Sequence, residues 1–331
     1  MIEDIIYKTK ESVSVSMRPA RIIGKYTGAE KGPLVIVIGG MHGNEPAGPN
    51  ALQQMFDMLA VEPDNNPDFR FKGCLLGIRG NTRAMGENLR FIDRDLNRIW
   101  TKEHVEKMKA TPICELKNED LELREMIDLI ESEIASYQPG EIILLDLHTT
   151  TAHGGIFSIP SDTNTSLDVA IELHAPVIVG LLKGIEGTLL HYFCTENIGV
   201  KTCSMAFESG QHQEELSVNR AIAAVTNCLR TVGCVQGEHV ENRHDELLIA
   251  YSKKLPKVAE LISVHQIKRG DEFQMVPGYI NFQKVKKGEC LATDRYGDIL
   301  ANEEALILMP LYQPQGGDGF FLIREVKSDS Y

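Results

Sequence analysis

A short apolar run closed by two glycines, residues 34–40, constrains the fold more than any other segment. It reads Leu-Val-Ile-Val-Ile-Gly-Gly and contains no polar side chain. A continuous β-branched run of this kind predicts a strand buried on both faces, as in the centre of a parallel sheet. A polar turn follows, and residues 46–59 then predict a helix with Pro46 in its first turn.

Similar elements recur through the first 240 residues. Further strands are predicted at 73–79, 142–147 and 200–207, and further helices at 120–137 and 215–229. This alternation predicts an α/β fold with a mixed, mainly parallel sheet flanked by helices.

The pattern changes in the last quarter of the chain. From Ile262 onward, short β-prone pieces are separated by turn signals such as Pro277-Gly278 and Lys287-Gly288. We therefore predict a larger α/β domain over 1–240 and a smaller β-rich domain over 241–331.

Charge and cysteine content limit the partners and the compartment. The net charge of −13 argues against broad contact with nucleic acid or an anionic membrane. Seven scattered cysteines without a C-x-x-C pair predict free thiols in a reducing cytoplasm. Residues 1–4 are acidic, unlike the start of a signal peptide, and no apolar run is long enough to cross a bilayer. We expect a soluble cytoplasmic protein, and the sequence leaves open whether it forms a homo-oligomer.

Candidate metal ligands follow two of the predicted strands. His42 and Glu45 lie in the turn after the first strand, and His148 lies at the end of the strand that begins at 142. Imidazole nitrogen and carboxylate oxygen suit zinc, and three protein ligands leave a position for water. Asp146 is a candidate partner of the third ligand, and His153 is the main competitor for that ligand position.

A loop rich in arginine lies between these segments. Arg90, Arg94, Asn97 and Arg98 lie close together in an otherwise acidic chain. An arginine presents a planar fork that holds a carboxylate through two hydrogen bonds, and one near a metal can stabilise a developing oxyanion. For Arg94 we expect only an ion pair inside the loop, with Asp93 or Asp95.

Glu208 is the candidate acid–base residue, because it ends a third apolar strand. A glutamate there could take a proton from a metal-activated water and pass it to a leaving nitrogen. Taken alone, it would be an ordinary strand-end carboxylate.

Together the motifs resemble the succinylglutamate desuccinylase and aspartoacylase family, which is related to the zinc carboxypeptidases. The similarity is carried by five segments in order: Gly39-Gly40-Met41-His42-Gly43-Asn44-Glu45, Asn81-Thr82-Arg83-Ala84, Arg90 to Arg98, Asp146-Leu147-His148 and Phe207-Glu208-Ser209-Gly210.

The resemblance implies a zinc-dependent deacylase with a zinc-carboxypeptidase-like fold. It would hydrolyse the linear amide bond of a small anionic N-acyl amino acid, of the N-succinylglutamate or N-acetylaspartate type. The implied roles are one Zn²⁺ on His42, Glu45 and His148, catalysis by Glu208 and Arg90, and substrate binding by Asn97, Arg98 and Arg83.

Two departures from the family concern the substrate. Aspartoacylases carry an arginine for the aspartate side chain about ten residues before the catalytic glutamate, where this chain has Thr195-Glu196-Asn197-Ile198. They also carry a tyrosine near the C-terminus, where this chain has Gly316-Gly317-Asp318-Gly319.

Two other functions compete with a deacylase. A zinc metallocarboxypeptidase acting on short peptides would use the same metal ligands and the same carboxylate-binding residues. An extra C-terminal domain would, however, narrow access to its site. A metal-dependent binding protein without catalysis would have no use for Glu208 and Arg90.

Overall fold

A computed structural model of the chain describes residues 18–161, 163–236 and 243–326. Residues 1–4, used above for the signal-peptide prediction, and the predicted boundary at 240/241 lie outside these ranges. The strands are β1 Ile22–Thr27, β2 Glu30–Gly39, β3 Lys72–Arg79, β4 Glu141–Thr150, β5 Phe157–Pro160, β6 Val177–Val179, β7 Lys201–Gln211, β8 Val258–Gln266, β9 Gln274–Met275, β10 Gln283–Val285, β11 Cys290–Asp294, β12 Gly297–Leu300, β13 Ala305–Leu308 and β14 Asp318–Glu325.

The helices flank the sheet and, after α9, give way to strands. They are α1 Ala47–Asn65, α2 Thr82–Glu87, α3 Lys102–Ala110, α4 Asn118–Tyr137, α5 Asn164–Ile171, α6 Leu189–Tyr192, α7 Thr195–Ile198, α8 Leu216–Thr231 and α9 Arg243–Ser252, with short 3-10 turns at Leu96–Arg98, Ile113–Glu115 and Leu181–Gly184. Among these described helices, none is long and apolar enough to cross a membrane.

The principal sheet has eleven strands in the order β1-β3-β2-β4-β7-β5-β6-β8-β14-β13-β10. β2 pairs in parallel with β3 and with β4, and β4 pairs in parallel with β7, as the apolar runs predicted. Antiparallel pairs are added by β14, β13 and β10 at the far end, by β1 with β3, and by β5 with β7. The sheet is therefore mixed but not mainly parallel, since the apolar runs identified only its central strands.

The C-terminal segment is β-rich, as predicted, and its strands belong to two sheets. Its first strand, β8, pairs in parallel with β6 and so continues the principal sheet. A further three-stranded sheet has the order β12-β11-β9. It shares an apolar cluster with the end of the principal sheet, to which Leu291 of β11 and Ile307 of β13 both belong. The division into two domains stays a prediction.

The core lies on both faces of the parallel strands. Side chains of β2 alternate between two apolar clusters, with Leu34 and Ile36 in one and Val35 and Val37 in the other. On α4, Leu123, Met126, Ile127 and Ile130 are buried on one face because apolar residues recur there every three or four positions. This two-sided packing fixes the ends of β2, β4 and β7, where the candidate site lies.

Candidate metal centre and active-site cavity

Four predicted site residues meet at one edge of the sheet. His42 and Glu45 lie in the turn between β2 and α1, while His148 is near the end of β4. Glu208 lies in β7 directly opposite His148 in the strand register. Because parallel strands end at the same edge, residues up to 166 positions apart in sequence are brought into one cavity.

The turn that carries His42 and Glu45 depends on a glycine. A Cβ at Gly43 would lie 2.2 Å from the carbonyl carbon of Ala84, so no other residue fits without moving backbone. The amide of Gly43 also donates a hydrogen bond to the carbonyl oxygen of Arg90, at 3.2 Å. This close packing joins the turn to the arginine loop.

His42, Glu45 and His148 form a buried group that could hold a metal ion. Their ligand atoms all lie within 4.8 Å of one another. Glu45 contacts the Nδ1 atom of His42 at 2.7 Å through Oε1 and the Nδ1 atom of His148 at 3.1 Å through Oε2. Two imidazoles and one carboxylate converging in this way fit the donor set of a catalytic zinc site.

The Nε2 atom of each histidine contacts a further carboxylate, a different one for His42 and for His148. Asp146 Oδ2 lies 2.8 Å from His148 Nε2, as the sequence suggested for Asp146. Asp95 Oδ1 lies 3.2 Å from His42 Nε2. Sequence reasoning missed Asp95 in this role, although its place in the arginine loop offered a signal. Such partners orient imidazole ligands and raise their basicity.

The charged side chains of the cluster shift one another's pKa values. Burial alone would raise the pKa of Glu45, but His42 and His148 hold it well below its usual value. Burial alone would lower the pKa of His148, but Asp146 and Glu45 raise it well above its usual value. The carboxylates of Asp146 and Glu45 therefore favour a positive charge at His148.

Glu208 sits beside this cluster in a very different environment. It is buried, and its Oε2 atom has no hydrogen-bond partner among the described residues. Burial raises its pKa to about 8, against the opposing charge of His148. A carboxyl group poised near neutral pH and facing the cavity has the character of a general acid and base.

Arg90 lies next to the cluster and is held by a carboxylate. Its Nε and Nη2 atoms donate to Asp95 Oδ2 at 3.1 and 2.8 Å, and its Nη1 lies 3.8 Å from Glu45 Oε1. Burial would lower the pKa of Arg90, but Asp95 and Glu45 raise it, so the guanidinium stays charged. Arg90 thus brings a fixed positive charge to the metal-binding group.

Asn97 and Arg98 line the same cavity. Asn97 Oδ1 accepts a hydrogen bond from the amide of Leu189 at 2.8 Å. Arg98 forms an ion pair with Asp318 of β14 and donates to the Asn97 carbonyl oxygen at 2.7 Å. The pairing with Asp318 could not be foreseen, because the two residues are 220 positions apart.

Three other candidates lie elsewhere. Arg83 is not among the residues lining the cavity and pairs with Glu122 at 2.6 Å, so the structure does not bring it to the predicted site. His153 is exposed and lies outside the metal-binding group. The expected pairing of Arg94 within the loop is wrong: it pairs with Asp120, because Asp95 is occupied by other partners.

The loop between β13 and β14 closes over the cavity. Gln313 Oε1 accepts from Asn44 Nδ2 at 2.8 Å, and Gln315 Oε1 accepts from the amide of Arg90 at 3.1 Å. His212 also lines the cavity, with its Nδ1 2.7 Å from Thr149 Oγ1. Sequence reasoning identified neither glutamine nor His212, since their side chains carry no motif of their own.

The fold and the buried group define an α/β protein with a candidate metal centre at the ends of its parallel strands. Residues 31–232 match the model of the succinylglutamate desuccinylase/aspartoacylase catalytic domain, and the chain belongs to that family. A probable aspartoacylase of Nostoc sp. is 30% identical over 122 residues, which cover 37% of this chain and 37% of that protein. The match therefore spans little more than a third of this curated relative.

Solved structures show the same fold over nearly the whole chain. The succinylglutamate desuccinylase from Chromobacterium violaceum has a TM-score of 0.60 at 16% identity, covering 94% of this chain and 96% of that one. Murine aminoacylase 3 has a TM-score of 0.57 at 19% identity, covering 90% and 96%. The predicted α/β architecture with a β-rich C-terminal part is thereby confirmed.

Proposed function

We propose that this protein is a zinc-dependent deacylase that hydrolyses the amide bond of a small N-acyl amino acid. The observation that carries the proposal is the convergence of His42, Glu45 and His148 beside the buried Glu208 in one cavity. The names of the relatives, aspartoacylase and succinylglutamate desuccinylase, point to the same reaction type. A zinc-carboxypeptidase-like origin of the fold is part of this proposal.

The three ligands would hold one zinc ion per chain, which would supply Lewis-acid activation of water and of the acyl carbonyl. Glu208 would accept the proton of the attacking water and deliver it to the leaving nitrogen. Its buried carboxyl group suits both roles, since burial raises its pKa to about 8 and a neighbouring cation would lower that value.

Arg90 would stabilise negative charge that develops on the acyl oxygen. Its guanidinium is already fixed by Asp95, so no reorganisation is needed during the reaction. Asn97 and Arg98, which line the same cavity, would bind the carboxylate of the amino acid. The forked geometry of Arg98 suits that contact.

Closure by the C-terminal segment favours a small substrate over a peptide. Gln313 and Gln315 contact Asn44 and Arg90, and Thr151 Oγ1 donates to the carbonyl oxygen of Pro310 at 3.0 Å. These contacts hold the loop between β13 and β14, which lines the cavity, against the turn after β2, the arginine loop and the segment after β4. A metallocarboxypeptidase would need room there for the rest of a peptide chain.

The experiment is a turnover assay of the purified chain on N-acyl amino acids and on short peptides. We expect hydrolysis of N-acyl amino acids that a chelator abolishes and zinc restores, with peptides cut at least about a hundredfold more slowly. The control is Glu208→Gln, which keeps the ligands but removes the acid–base group. Faster cleavage of peptides would identify a carboxypeptidase, and metal binding without any turnover would identify a binding protein.

A further inference from the structure

One side of the cavity is lined by aliphatic side chains, which we call the apolar wall. They come from three elements of the fold, β5, β7 and the segment 181–190. All are buried, with residual exposures of 1–8%. The wall consists of Ile159, Leu181, Leu182, Ile185, Leu190 and Ala206.

The wall lies next to Asn97 and Arg98, the predicted carboxylate clamp. The amide of Leu189 donates to Asn97 Oδ1 at 2.8 Å, and the amide of Trp100 donates to the carbonyl oxygen of Gly187 at 2.9 Å. These bonds fix the segment 181–190 against the turn that carries Asn97 and Arg98. The wall is therefore within reach of the group on the α-carbon of a substrate whose carboxylate is bound by Asn97 and Arg98.

Within the described part of the chain, the cavity offers the wall no cation beyond the two arginines that already have a proposed role. Of the described residues lining the cavity, Arg90 and Arg98 alone carry a guanidinium or ammonium group. Arg90 is paired with Asp95 and Arg98 with Asp318. Lys183, which belongs to the same segment, does not line the cavity. It lines two other pockets, one of which also borders Leu182 and Leu190.

A second carboxylate on the substrate would be poorly accommodated there. It would lose its hydration among aliphatic side chains without gaining a charged partner. An aliphatic or aromatic side chain would instead bury its surface against the wall.

We propose that the amino acid released by this enzyme has an apolar side chain, bound by the apolar wall, rather than the acidic side chain of aspartate or glutamate. The inference rests on the proposed function and specifies its substrate class. It assigns Asn97 and Arg98 to the single carboxylate of the substrate and the wall to the group on its α-carbon.

The experiment compares kcat/KM of the zinc-loaded protein for two matched series. The apolar series contains the N-acetyl derivatives of leucine, methionine and phenylalanine. The acidic series contains N-acetylaspartate, N-acetylglutamate and N-succinylglutamate. We expect the apolar series to be favoured at least about a hundredfold. Preference for the acidic series would overturn this inference and leave the proposed function standing. Hydrolysis of neither series would overturn both.

A variant tests the wall directly. Leu182→Arg would place a cation in it, and we expect the preference to shift at least about tenfold toward N-acetylaspartate. Leu300→Arg, at an exposed position of β12, is the matched control and should leave the preference unchanged. If Leu182→Arg does not fold, Leu182→Ala should raise KM for N-acetylleucine but not for N-acetylglycine. An unchanged preference in the folded arginine variant, or equal KM changes in the alanine variant, would overturn the role of the wall.

Discussion

Asp146 and His148 lie two residues apart on β4, share one face of the strand and touch, with Asp146 Oδ2 2.8 Å from His148 Nε2. Asp146 is fully buried, and the other oxygen of its carboxylate has no partner among the described residues. Its contact fixes the ring of His148, so that Nδ1 faces Glu45. The carboxylate thus orients a candidate metal ligand from within the same strand.

We expect Asp146→Asn to weaken zinc affinity by roughly 10- to 100-fold, since a neutral amide orients the imidazole less strongly and does not raise its basicity. Competition against a chromophoric chelator measures the change. Asp298→Asn, at an exposed position in β12, serves as the matched control. Equal affinities in the wild type and Asp146→Asn would remove Asp146 from the metal site.

Glu119 anchors the arginine loop from the first turn of α4. Its buried carboxylate accepts hydrogen bonds from the amides of Ile92, Asp93 and Arg94, at 2.7, 3.0 and 3.3 Å. Glu119→Ala leaves these donors without that partner, and we expect the free energy of unfolding to fall by about 2–4 kcal/mol. Urea denaturation measures this free energy of unfolding. Glu131→Gln, exposed on the same helix, should cost less than about 1 kcal/mol, and equal losses would contradict the anchoring role.

Arg90 and Arg98 should show different kinetic defects. Arg98→Ala removes a contact made already in the bound substrate, so KM should rise most, and Arg98→Lys should restore it only in part. Arg90→Ala removes stabilisation of charge that appears only during the reaction, so kcat should fall by roughly 100-fold. Both are measured at saturating zinc, because Arg90 also holds Asp95, which contacts His42. Identical defects in the two alanine variants would refute this division of roles.

Glu208→Gln should keep zinc bound and lower kcat at least about a hundredfold, because an amide cannot transfer the proton. The substitution also replaces a buried carboxyl whose pKa is raised to about 8, so we expect no loss of folding stability at neutral pH. Steady-state kinetics and thermal melting measure the two effects. Near-normal turnover of the zinc-loaded variant would exclude Glu208 as the acid–base residue.

The sequence predicted the candidate metal-binding group because its signals are local. Each candidate side chain lies at or just after the end of an apolar run, and parallel strands must end at one edge, so His42, His148 and Glu208 had to lie near one another. The pairing of Arg98 with Asp318 and the continuation of the sheet through β6 and β8 are long-range contacts. Neither periodicity nor spacing encodes such contacts, so only the folded chain reveals how the C-terminal segment completes the cavity.

The occupancy of the metal-binding group tests the central claim most directly. We predict one zinc ion per chain by elemental analysis of the purified protein, largely lost in His148→Ala and retained in His153→Ala, whose histidine is exposed and outside the group. Zinc retained in His148→Ala, or lost only in His153→Ala, would contradict the assignment of the ligands and with it the proposed mechanism.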